Sequence, residues 1–105
     1  MELAKKTYEA TRDMPREEQF GLTMQMRRAA VSVPSNIAEG HGRQSRADYM
    51  RFLRTARGSL SELATQMELA ESLTMLMPDV QRSDVLQETD RVLQGLIRSL
   101  ESKST

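Results

Sequence analysis

No cysteine occurs anywhere in this chain. That removes disulfides, thiolate metal ligands and cysteine nucleophiles together, and it is compatible with a reducing compartment. Tryptophan is missing too, and the aromatic residues come down to Tyr8, Phe20, Tyr49 and Phe52, too few for an extended platform of stacked bases. Fifteen acidic and fifteen basic side chains cancel, so the total charge indicates neither a strongly basic nucleic-acid binder nor an acidic tail protein. No apolar run approaches the roughly 18 residues of a membrane span. The opening residues 1–6 carry charge where a leader needs an apolar stretch. These absences predict a soluble cytoplasmic protein with no membrane partner.

Reactive groups are equally sparse. His41 is the single histidine, and with Glu39 nearby it still lacks the second histidine or cysteine that a metal site needs. Ser32, Ser35, Ser59 and Ser61 have no histidine base placed by the sequence, and glycine-rich phosphate motifs are absent. Glu39 beside Asn36 is the best candidate for a perturbed acid, and it is a weak one. The expectation is no catalysis, no metal, no cofactor and no small-molecule substrate.

What is present is helical periodicity. The 105 residues suffice for one domain spanning 1–105, with an adequate but thin core. Glycine and proline divide the chain into four helical stretches. The first covers about residues 2–13 and ends at Met14-Pro15, since the residue before proline is pushed out of the helical region. The second covers about 18–39, with Leu22, Met26, Ala29, Val33 and Ile37 on one face. Pro34 inside it predicts a kink, and Gly40 and Gly42 allow a left-handed stop. The third starts at the capping pair Ser45 and Asp48 and covers about 46–76. Gly58 interrupts it, read as a close helix crossing, with a break as the alternative. The fourth begins near Ser83, and 101–105 is a polar tail. No segment reads as a strand. The fold class expected is an all-α, antiparallel up-down four-helix bundle.

The segment from Ser32 through Pro34, Ser35, Asn36 and Glu39 to Gly40 mixes polar residues into a proline-interrupted turn. Serine and asparagine there can satisfy backbone groups or bridge to a neighbouring helix or subunit; a small-ligand pocket is the competing reading. Charge is uneven as well. Arg43, Arg46, Arg51, Arg54 and Arg57 face only Asp48 between residues 41 and 57, and Arg27 and Arg28 add a doublet. Such a stretch forms a solvated face, a subunit contact or a phosphate-binding patch.

Two runs carry a resemblance. They are Gln25-Met26-Arg27-Arg28-Ala29-Ala30-Val31-Ser32-Val33-Pro34-Ser35-Asn36-Ile37-Ala38-Glu39-Gly40 and Ala56-Arg57-Gly58-Ser59-Leu60-Ser61-Glu62-Leu63. The chain resembles the bacterial four helix bundle proteins, also known as 23S ribosomal-RNA intervening-sequence proteins. The resemblance implies an antiparallel bundle assembled as a homopentamer, and it implies no enzyme. A similar accessory protein of diversity-generating retroelements works with nucleic acid but is far more basic. RNA or DNA is therefore kept as the alternative partner. Self-association is also expected from a second small-residue surface at Ala29, Ala30, Ala56 and Gly58, which a thin monomeric core leaves over. With zero net charge and few aromatics, an oligomeric scaffold is the favoured function.

Overall fold

The computed structural model describes residues 2–102. They form α1 (Glu2–Thr11), a single 3-10 turn (Arg16–Glu18), α2 (Leu22–His41), α3 (Arg46–Ser72) and α4 (Val80–Ser102). No strand occurs among the described residues. Along α2 and α3, Ser32 meets Ser59 and Gly40 meets Phe52; along α3 and α4, Arg57 meets Asp90 and Glu71 meets Arg82; along α1 and α2, Arg27 meets Thr11 and Pro34 shares a groove with Leu3. Each consecutive pair of helices is therefore antiparallel, and α1 against α4 closes the ring. The four helices make the up-down bundle that the periodicity predicts.

The core follows the four-three rhythm of the sequence. Met26 of α2, Leu53, Leu60 and Leu63 of α3, and Leu93 of α4 are fully buried. Helix α1 contributes Leu3 together with two buried threonines. The Thr7 and Thr11 hydroxyls donate to the carbonyls of Leu3 and Thr7, each at 2.8 Å, so the threonines present methyl groups to the core at no unpaired polar cost. Helix α1 has 10 residues and α3 has 27, so the bundle is unequal. Its radius of gyration is 14.8 Å, against about 13 Å for a compact chain of this length.

Element ends depart from the expected ones for local reasons. Helix α2 begins at Leu22 rather than near residue 18, because residues 16–18 wind as a 3-10 turn whose Glu18 carboxylate accepts from the Leu22 N–H at 3.2 Å. It runs on through Pro34 to His41. No glycine has a positive φ; Gly42 closes α2 at φ −77°. The left-handed residue is Thr74, φ 56°. Helix α3 stops at Ser72, short of 76, in a Schellman closure: the Met75 N–H donates to the Ala70 carbonyl at 2.8 Å, and the Thr74 N–H to that of Glu71 at 3.0 Å. Helix α4 starts at Val80, before Ser83. The Asp79 carboxylate accepts from the Arg82 N–H at 3.1 Å, an N-cap geometry.

The close crossing expected at Gly58 lies instead at Gly40. A Cβ on Gly58 would meet nothing within 4 Å, and the helix continues unbroken through it. A Cβ on Gly40 would stand 2.7 Å from the Phe52 Cβ and 3.0 Å from Tyr49 Cδ1. Ala29, Ala30 and Ala56 are buried inside the chain. Small side chains there let α2 and α3 approach, so these alanines are core and do not make the second surface expected of them.

Candidate functional site

The polar motif on α2 ties that helix to α3. Asn36 Nδ2 donates to the Ser32 carbonyl at 2.8 Å and to the Ser32 hydroxyl at 2.9 Å. The Ser32 hydroxyl in turn shares a 2.8 Å hydrogen bond with the Ser59 hydroxyl across the interface. These side chains are half-buried, and the Asn36 Nδ2 and both serine hydroxyls have partners, as packed polar groups require. One turn on, Gly40 admits the Tyr49 and Phe52 side chains of α3. Ser35 lies exposed on the outer side. Glu62 accepts from Gln66 Nε2 at 3.1 Å, one turn away on its own helix. Pro34 lines a groove of about 580 Å³ with Val33, Ile37, Leu3 and Val85, where α1 begins.

The arginines divide into separate groups. Arg27 is fastened to α1: its Nε donates to the Thr11 hydroxyl at 2.8 Å, and its guanidinium lies 4.6 Å over the Tyr8 ring. Arg28, one residue on, is exposed. In the stretch from Arg43 to Arg57, four members hold acids of the same chain. Arg43 pairs with Glu39 at 2.6 Å, Arg51 with Asp48 at 3.4 Å, Arg54 with Glu101 at 3.4 Å and Arg57 with Asp90 at 3.3 Å. The last two pin α3 to α4. All four are substantially exposed, so each pair is worth only about 0.2–1 kcal/mol; their effect is on local charge. Arg43 and Arg51 also stack over Phe52, at 5.1 and 4.7 Å. Arg46 sits exposed at the start of α3.

Sequence reasoning missed Arg82. It is 6% exposed, and its guanidinium donates to Glu71 Oε2 at 3.2 Å and to the Met77 carbonyl at 2.7 Å. The hydrogen bond from the Arg82 N–H holds the Asp79 carboxyl below its ordinary pKa; desolvation opposes this, and the Gln81 N–H with the charges of Arg82 and Lys6 adds to it. The available signal was Asp79 directly after Pro78, an N-cap type three residues ahead of Arg82. Phe20 is 79% exposed, outside the core.

No described group of three or more His, Cys, Asp or Glu is placed to hold a metal ion. Among the described residues, no helix is long and apolar enough to cross a membrane. The arrangement defines an antiparallel helical bundle whose motif residues lock α2 onto α3. The chain belongs to the 23S rRNA-intervening sequence protein family, whose model matches residues 1–98. Among curated proteins, none matches it.

Proposed function

We propose that this protein is a non-enzymatic scaffold of the cytoplasm that assembles with copies of itself, as a homopentamer. One observation carries the reading: the basic stretch is neutralised within the chain, while large apolar side chains stand in solvent. Arg43, Arg51, Arg54 and Arg57 each face a carboxylate, yet Phe20, Met77 and Val80 are more than three-quarters exposed. Apolar groups of that size on a small surface favour burial against another protein surface. Pro34 has no N–H for the Ala30 carbonyl, and in this proposal it bends α2.

A second reading rests on Phe52, where Arg43 and Arg51 flank one aromatic ring. A guanidinium beside a ring is also how single-stranded nucleic acid is gripped. Two measurements separate the readings. Light scattering at micromolar concentration should report a particle several times 11.9 kDa; a single monomeric species defeats the scaffold. Filter binding to structured ribosomal RNA at two salt concentrations should show only weak retention. Submicromolar, salt-sensitive binding that vanishes on combined Arg43→Gln, Arg51→Gln, Arg54→Gln and Arg57→Gln, with the particle mass unchanged, establishes the nucleic-acid reading instead.

A further inference from the structure

We infer that the copies join head to tail, the α1–α2 face of one chain docking on the C-terminal face of α3 in the next. This rests on the oligomeric reading above. The first surface is a groove of about 600 Å³ whose lining includes Tyr8, Phe20, Met24 and Val31; Arg27 and Arg28 also line it, with no carboxylate among its walls. The second is the outer face of the last turns of α3. Leu69 and Leu73, four residues apart, are 48% and 51% exposed there. Glu68 and Glu71 line a shallow depression there with Leu69, and no basic residue lines it. Glu71 is turned to Arg82; Glu68 is exposed beside Leu69 and also borders the depression between α3 and α4 that Arg82 lines.

Both surfaces are apolar and they differ in the sign of their charge, so each complements the other and neither complements itself. Pairing like with like about a two-fold axis sets the arginine-lined groove against its own copy, or the acidic face against its own copy, a juxtaposition of like charge that costs affinity. A heterologous contact avoids it. Both surfaces also lie toward one end of the bundle. The Thr23 hydroxyl reaches Met14 Sδ at 3.8 Å beside the 3-10 turn, and Asp13 and Met77 line one shared cavity at that end. Copies can therefore be related by rotation without a rise along the bundle, the condition for a closed ring and against a filament.

The test is a charge exchange read by native mass spectrometry and light scattering, with circular dichroism confirming that every variant stays helical. Arg28→Glu and Glu68→Arg should each weaken assembly by roughly tenfold or more in dissociation constant, about 1.4 kcal/mol or more. The double variant should return the particle to the wild-type mass. Phe20→Asp, which removes the apolar anchor without touching the core, should dissociate the particle. If the wild type is monomeric, the oligomeric reading fails and this inference falls with it. A wild-type oligomer whose mass survives both single exchanges and Phe20→Asp keeps the oligomer and overturns the interface.

Discussion

Adding one methyl group at two glycines of the same protein should move stability in opposite directions. At Gly40 the new Cβ falls 2.7 Å from the Phe52 Cβ and 3.3 Å from the Tyr49 carbonyl oxygen. Carbon atoms rest at about 3.5–4.0 Å, and neither obstacle is the free end of a side chain, so α2 and α3 must separate locally by roughly 1 Å to restore ordinary contact. Overpacking of this kind costs about 1–3 kcal/mol. Replacing glycine in a helix returns about 0.5–1 kcal/mol, which leaves Gly40→Ala destabilised by about 1 kcal/mol at the middle of these ranges and by at most about 2.5 kcal/mol, a central fall of roughly 5–10 °C in Tm for a domain near this size. At Gly58 the same methyl meets nothing, and only the helical gain remains: Gly58→Ala should melt a few degrees higher. Thermal melts followed by circular dichroism, with particle mass checked for each variant, decide the matter. A Gly40→Ala protein as stable as the wild type refutes the close approach. A Gly58→Ala protein that melts lower and loses mass refutes the open surface and puts Gly58 against another subunit.

Three further outcomes follow from particular contacts. Arg27→Ala removes both the Thr11 hydrogen bond and the stack on Tyr8, and should cost about 1–2 kcal/mol in urea denaturation; an unchanged midpoint means that α1 does not depend on that side chain. Thr74→Gly relieves a β-branched residue held at φ 56° and should stabilise by about 1 kcal/mol; a lower Tm contradicts the left-handed closure of α3. Asp79 has its folded-state pKa lowered, so the unfolded chain binds the proton more readily, and the contribution of Asp79, present above the ordinary carboxylate value, is lost as pH falls from that value through the lowered one. Asp79→Asn should flatten the acid limb of the stability profile; a limb of unchanged slope removes Asp79 from the account.

The all-α bundle was legible in the sequence because its information is local. Apolar residues recurring every three or four positions predict buried faces, and Met26, Leu53, Leu60, Leu63 and Leu93 are buried. The cap at Ser45 was equally readable, since its hydroxyl accepts from the Asp48 N–H within one turn at 2.9 Å. Helix α3 was expected to run on to Leu76 because the four-three rhythm continues through Thr74 and Met77, yet Met77 is exposed, and a threonine takes the left-handed position that glycine ordinarily marks. Composition could not tell Gly40 from Gly58, nor core alanines from surface ones. That distinction depends on which helix passes opposite, and only the packing of α2 on α3 decides it. The arginines make the same point. Along the chain, Arg43 to Arg57 read as an excess of positive charge, but Glu101 and Asp90 arrive from α4 beside Arg54 and Arg57. Periodicity, capping and the pairs of Arg43 with Glu39 and Arg51 with Asp48 act within a few residues and belong to the sequence; the steric clearance at Gly40 and the pairs of Arg54 and Arg57 join different helices, and they exist only once the helices have packed.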